Sequence, residues 1–413
     1  MTKVAEVPLD PFVHREASLQ FAGRRLSFLT SLGLFSSHRV DVGSHLLLRT
    51  LEPLLAAPEA PAEGRRVLDL GCGYGPMGVA LATLPGVASA HLLDRDALAL
   101  DFAQENAHRN GVEERVTTAA GLCFDGLPED DRYDLVVSNV PGKAGDAVIA
   151  SMLLGALGVL APDGIAAVVV IEPIRDLAAS TLTRDDIEVT LRRDTADYSV
   201  FHYRPTSGAT FPRPLDGFAA GIYDGRPITF EDPREERVTI PTVQSVSGVE
   251  RVDAADIEMM QHVPRLRAGT SVAISNVGQG ALAAWLLRAQ PEVRLLLIDR
   301  DLLALRAARR TLLALGCAED RIETRHLGVW AAATLDDTRA DIVIATLHED
   351  AGAPAVEAQY AGLLGGIAPG GRAVIAGSST AITRLVARPL PAGMSASRTR
   401  HRGISILEVA RPA

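Results

Sequence analysis

The stretch VLDLGCGYGPMGVALA, Val67 to Ala82, constrains the fold more than any other part of the chain. Its apolar start predicts a buried strand, its alternating glycines a loop, and its Ala/Val/Leu-rich end a helix. Gly71, Gly73 and Gly75 permit a tight turn and let the backbone approach a ligand with no Cβ in the way. The free N–H groups of the helix start point into the same space. Asp69 lies near the strand end. The unit is a strand–glycine loop–helix cofactor cradle, with the cofactor open.

The flanking sequence supplies the rest of an α/β domain. LQFAGRRLSF, around Gly23, predicts a short hairpin. GLFSSHRVDVGSHLLLRTLEPLL, from Gly33 to Leu55, predicts a loop and an amphipathic helix. Leu46, Leu47, Leu48, Leu51 and Leu54 would form its buried face, with Asp41 or Ser44 as its cap. Beyond the glycine loop, a second strand ends at Asp94 and its helix stops at Gly111. RVTTAAG makes a third strand, ending at Gly121. YDLVVSNVPGK makes a fourth, ending in Asn139, Val140 and Pro141. A fifth strand and the pair IEVTLRRD and YSVFHYRP close the series. Strands and helices alternating at this spacing predict an open, mostly parallel sheet. Ligands sit beyond the carboxyl ends of such strands, where Asp69, Asp94, Gly121 and Asn139 are all expected.

A GxGxG loop with an acid at the end of the next strand suits either a nicotinamide dinucleotide or S-adenosylmethionine. The dinucleotide pattern G-x-G-x-x-G fails from Gly71, where the sixth place is Pro76, and is met only in shifted register from Gly73 to Gly78. A carboxylate at Asp69 can bind a methionine ammonium group, and hydride transfer has no use for an Asn-x-Pro turn. Both favour S-adenosylmethionine.

LDLGCGYGPMGVAL, LLDRD and YDLVVSNVP together resemble class I S-adenosylmethionine-dependent methyltransferases. GLFSSHRVDVGSHLLL is similar to the segment before the glycine loop in the "small" methyltransferase-domain family, which includes the ribosomal RNA guanine-N2 methyltransferases. The resemblance implies that Asp69, Gly71, Gly73 and Gly75 hold the amino-acid end of the cofactor. It places Asp94 and Arg95 at the ribose, Gly121 and Leu122 beside adenine, and Asn139 within reach of the cofactor. Asn139 and Pro141 would be the catalytic pair that positions the accepting nitrogen, with Val140 beside the substrate. The family usually carries Asn-Pro-Pro and an aromatic; here the run is Asn139, Val140, Pro141, Gly142. Gly142 cannot stack on a base, so either Phe35 or Tyr74 supplies the platform or the substrate is not a nucleobase.

The second half repeats the first. RVDAADIEMM resembles RVDVGSHLLL, SVAISNVGQG aligns with RVLDLGCGYG, and Asp299-Arg300-Asp301 falls on Asp94-Arg95-Asp96. In the copy, however, Asp69 has become Ile274, Gly71 has become Asn276, and the Asn-Val-Pro turn has become Thr346-Leu347-His348. The expected architecture is therefore α/β: two tandem Rossmann-like methyltransferase domains, each a mostly parallel sheet flanked by helices. Residues 1–205 would be catalytic, 206–245 a linker, and 246–413 a degenerate copy serving stability, substrate docking or a homodimer contact.

At 413 residues the chain suits two domains. It lacks an apolar run of membrane-spanning length and a basic-then-apolar leader, which predicts a soluble, cytoplasmic protein without membrane partners. Cys72, Cys123 and Cys317 are odd in number and far apart, arguing for reduced thiols. No histidine spacing suggests a metal. Through Ile240 there are 22 basic against 34 acidic residues, and beyond it 19 against 17. A phosphate-binding surface is thus sought in the second half, near Arg388, Arg398, Arg400 and Arg402. The substrate classes open at this point are ribosomal RNA, methylated at an exocyclic nitrogen, and a small molecule methylated at nitrogen or oxygen.

Overall fold

The computed structural model describes residues 9–56, 64–290, 292–328 and 339–413. They form two compact units, one of Val13–Tyr223 and one of Asp224–Ala413 with residues 9–12. Each is a Rossmann-like domain around a seven-stranded sheet.

In the first unit, β1 (Arg15–Phe21) and β2 (Arg24–Thr30) pair antiparallel across Ala22 and Gly23, both at positive φ. Ala17, Leu19 and Phe21 are buried from one strand and Leu26 and Phe28 from the other, the period-2 pattern of a half-buried hairpin. Helix α1 (Val42–Ala56) follows, and its first turn is capped by Asp41, whose Oδ2 accepts from Ser44 N at 3.2 Å. Leu47, Leu48 and Leu51 are fully buried, each contributing roughly 2 kcal/mol of apolar burial. Leu54, expected on that face, is 37% exposed in the last turn.

The sheet then builds from β3 (Arg65–Leu70), β4 (Val87–Asp94), β5 (Val116–Ala120), β6 (Tyr133–Asn139), β7 (Leu160–Ile171), β8 (Ile187–Asp194) and β9 (Tyr198–Pro205). Its order is β5-β4-β3-β6-β7-β9-β8, parallel except for the closing pairs β7–β9 and β9–β8. Helices α2 (Pro76–Ala82), α3 (Ala97–Arg109), α4 (Asp146–Leu157) and α5 (Arg175–Leu182) connect the strands. Val67 to Leu70 are all buried, because a central parallel strand is covered on both faces, so β3 carries no alternation. After β3 the chain goes first to one side and then to the other. The resulting switch point lies at the carboxyl ends of β3 and β6, and a crevice opens there in folds of this kind.

The second unit repeats this order with β12 (Ser271–Ser275), β13 (Arg294–Asp299), β14 (Ile322–His326), β15 (Ala340–Thr346), β16 (Ile367–Ser378), β17 (Ser395–His401) and β18 (Ile404–Ala410) as β14-β13-β12-β15-β16-β18-β17. Its helices are α6 (Ala254–His262), α7 (Ala281–Ala289), α8 (Leu302–Ala314), α9 (Ala353–Gly365) and α10 (Ser379–Val386).

The stretch 206–245, expected as a linker, is divided between the units. Arg213 donates to the carbonyls of Leu127, Pro128 and Asp131 in the first unit. In the second, β10 (Ile228–Glu231) and β11 (Arg237–Ile240) form a hairpin whose Val238 and Ile240 bury against Ala281 and Ala284. Alternating apolar residues in Arg237–Ile240 make this hairpin a packed element. Arg388 is paired with Glu357, and Arg398 donates to Ser379, Thr383 and Ser405, so two of the four C-terminal arginines are engaged within their own unit. Among the described residues no helix is long and apolar enough to cross a membrane.

Candidate active site

Asp69 ends up wholly buried near the end of β3. Its Oδ2 accepts from Gly78 N at 2.7 Å, in the first turn of α2, where the helix presents unpaired N–H groups. Gly78 is required for that approach. A Cβ there would lie 2.6 Å from Leu92 Cδ1 and 3.0 Å from Asp69 Oδ2. The other oxygen, Oδ1, is buried with no hydrogen-bond partner. Burial pushes this carboxyl up to about 7; the Gly78 N–H pulls it down and the nearby Asp94 charge pushes it further up.

The loop itself bends through Gly71, Gly73 and Gly75 at φ +71°, +55° and +85°. A Cβ on Gly71 or Gly73 would meet nothing within 4 Å, so both face open space. Asp94 closes the other side. Its Oδ2 accepts from Gly73 N at 2.8 Å and its Oδ1 from Asp96 N at 3.0 Å, leaving each oxygen a further lone pair for a diol. Burial raises its pKa too. Cys72 is buried and its thiol pushed up by that burial, which makes it an inert loop residue and no nucleophile.

Asn139 completes the arrangement at the end of β6. Its amide Nδ2 donates to Asp41 Oδ2 at 2.8 Å and to Ser44 Oγ at 2.9 Å. Tyr198, at the start of β9, donates its hydroxyl to Asp41 Oδ1 at 3.3 Å. Both amide hydrogens of Asn139 are thus used, and its carbonyl Oδ1 remains an acceptor.

The other expected residues divide. Phe35 is 71% exposed on the segment leading into α1, and Pro141 is exposed beside Asn139. Tyr74 is not available as a platform. It is 2% exposed, its hydroxyl is turned onto the carbonyls of Ser36 and Arg39, and its own carbonyl accepts from Asn106 Nδ2. The ring pins the glycine loop to the segment before α1. Val140 is also buried, with its N–H bonded to Val169 O, and presents no exposed surface beside Asn139. Leu122 is buried likewise. Gly121 is required by the chain's own turn, since a Cβ would sit 2.2 Å from Asp125 O. Arg95 follows Asp94 in the turn before α3. At Gly142, which stands where the resembling family usually carries an aromatic, a Cβ would lie 2.4 Å from Ile171 Cδ1, so Ile171 fills that place. Sequence reasoning treated Asp41 and Ser44 only as helix caps and passed over Tyr198 and the role of Gly78. The RVD triplet present in both halves was the available signal for Asp41.

The second unit keeps the loop's backbone. Asn276, Gly278 and Gly280 hold φ +61°, +51° and +82°, and Asp299 accepts from Val277 N and Asp301 N. Its chemistry differs. Ile274 is apolar and buried at the place of Asp69, and the Asn276 amide donates to Thr346 O.

The methyltransferase small domain family matches residues 25–202 and 237–348. The chain belongs to this family. Among relatives, the Bacillus subtilis protein YbxB is 31% identical over 132 residues, 32% of this chain and 62% of its own length. Ribosomal RNA small subunit methyltransferase C of Pseudomonas aeruginosa is 34% identical over 146 residues, 35% of this chain and 40% of its own length. The chain therefore spans less than two thirds of either relative. Among solved structures, the 16S ribosomal RNA N2 methyltransferase RsmC of T. thermophilus, in complex with AdoMet and guanosine, superposes with a TM-score of 0.64 at 17% identity, covering 97% of this chain and 99% of that one. That likeness concerns the fold. S-adenosylmethionine is the cofactor of the family, and the first unit fits it. The orphaned Asp69 oxygen matches an ammonium, the open side of Gly71 and Gly73 leaves room, and Asp94 suits a ribose diol.

Proposed function

We propose that this protein transfers a methyl group from S-adenosylmethionine to a planar exocyclic nitrogen, guanine N2 of ribosomal RNA. The observation that carries the reading is the Asn139 side chain, held by Asp41 and Ser44 so that its carbonyl is left to accept. An exocyclic amine is a donor whose lone pair is drawn into the ring. An acceptor fixed beside it holds one N–H and turns the nitrogen towards the methyl, so orientation does most of the work. When bound, the cofactor supplies an electrophilic methyl group. Asp69 and the glycine loop anchor its amino-acid end and Asp94 its ribose; Arg95 and Gly121 flank it. Pro141 stiffens the turn after Asn139, and Phe35 offers a ring for a base to stack on, since Gly142 offers none and Ile171 fills the space beside it. No strong base is needed if the proton leaves to water during or after transfer. The names of the Pseudomonas relative and of the T. thermophilus structure support ribosomal RNA and guanine.

The second unit, in this reading, is a degenerate copy that supports stability or RNA docking, because Ile274 removes the ammonium anchor. Incubation with methyl-labelled S-adenosylmethionine, unmethylated ribosomal RNA transcribed in vitro and a small-molecule cell extract tests the whole. Label should enter RNA as N2-methylguanine and Asn139→Ala should abolish it with cofactor affinity unchanged. Label in small molecules alone overturns the substrate.

A further inference from the structure

The geometry points to Asp41 as a positioning residue for the proposed methyl transfer, acting through Asn139 with Tyr198 as its brace; the inference rests on that reading of the site. A carboxylate carries no hydrogen to donate, so the group facing Asp41 Oδ2 must be the NH2 end of the Asn139 amide. Asp41 therefore decides which end of that amide is presented to a substrate. Without it, the amide could turn over and offer N–H where an acceptor is needed.

The carboxylate is itself clamped from three elements. Oδ2 receives Ser44 N at 3.2 Å from the first turn of α1 in addition to Asn139, and Oδ1 receives the Tyr198 hydroxyl from β9. Gly43 permits this. A Cβ there would lie 2.7 Å from the Tyr198 ring and 2.8 Å from Asp41 Oδ2. A helix cap alone would need only the Ser44 contact. In the second unit the aspartate survives as Asp253 but Thr346 stands at the place of Asn139, and Asp253 Oδ2 accepts from Ser247 Oγ at 2.6 Å. The link from the carboxylate to a strand-end amide is present where the strand end carries Asn139 and absent where it does not.

The test has two readouts on the full chain. The protein contains four asparagines, so selective 15N-asparagine labelling gives four side-chain NH2 signals, and Asn139→Ala assigns one. In the wild type, this pair should be protected from solvent exchange; in Asp41→Ala it should exchange freely. On in-vitro-transcribed ribosomal RNA, Asp41→Ala should lower kcat about a hundredfold, the scale of a lost transition-state hydrogen-bond partner, with cofactor Kd within twofold. A charge swap separates this from loss of the cap. Asn139→Asp alone sets two carboxylates face to face, and adding Asp41→Asn restores a donor opposite an acceptor, so the double variant should regain at least tenfold over Asn139→Asp. An unchanged NH2 signal in Asp41→Ala, or a double variant no better than Asn139→Asp, overturns the inference. A wild type that protects the amide but turns over no RNA overturns the substrate reading instead.

Discussion

Asp69 makes a prediction that separates a cofactor anchor from a structural acid. Its carboxyl is buried with one oxygen unpartnered, and its pKa stands at about 7. An ammonium group pairing with it requires the ionised form, so binding below that pH must first remove the proton. The apparent affinity scales with the ionised fraction, which rises from about 3% at pH 5.5 to about half at pH 7. Cofactor affinity should therefore increase about fifteenfold over that window, where the cofactor's own amino group, near 8, stays charged. Close to one proton should be released per cofactor bound at pH 6. Titration calorimetry in buffers of different ionisation enthalpy measures both. Stability of the free protein should run the other way. The folded pKa is raised above the unfolded 3.8, so the penalty is absent below that value and complete above about 7. Stability is lost as pH rises between the two. Asp69→Asn removes a penalty of about 2–4 kcal/mol at pH 8 and should raise the unfolding midpoint while abolishing tight cofactor binding. An affinity flat from pH 5.5 to 7, or an Asp69→Asn protein less stable than wild type at pH 8, would refute the assignment.

Phe35→Ala should raise KM for RNA about tenfold, within the roughly 1–3 kcal/mol that base–aromatic stacking supplies, with cofactor Kd unmoved; an unmoved KM removes Phe35 from the substrate platform. The full chain should bind one equivalent of S-adenosylmethionine, Asp69→Ala none, and Ile274→Ala still one. Two equivalents in the wild type would show that the second cradle works.

Most of the fold was legible because its signals are local. Alternating residues around Gly23 mark the hairpin, and the glycine loop between an apolar run and a helix marks β3 and α2. The duplication was visible as a shared RVD triplet and Gly278 and Gly280 at the spacing of Gly73 and Gly75. What escaped depends on which way a side chain turns. Tyr74 looks like a platform in the sequence, but its ring goes inward because the Asn106 amide holds its carbonyl and two backbone carbonyls receive its hydroxyl. Asp41 carries a cap signature, and nothing local says that Asn139 and Tyr198, 98 and 157 residues away, converge on its carboxylate. Ile171 closing the place beside Gly142 is equally non-local.

The two halves separate what the loop's shape demands from what its chemistry demands. All three left-handed positions persist in the copy, and where glycine is lost the replacement is asparagine, which tolerates that conformation. The contact that pins the loop persists too, by other means. Tyr74 bonds the segment before α1 through its hydroxyl, while Gln279 bonds the segment before α6 through its amide, to Val243 and Val246. Asn106 holds the Tyr74 carbonyl as Thr311 holds that of Gln279. Asp69 and Gly78 behave differently, because they disappear together. With Ile274 in place of the acid, no carboxylate has to reach the start of α7, and the position matching Gly78 is Ala283, buried at 1% exposure. At Gly78 a Cβ would crowd both Leu92 Cδ1 and Asp69 Oδ2, so the first unit makes its acid–helix contact beside a glycine, and the second, with Ile274 in place of the acid, carries Ala283 there.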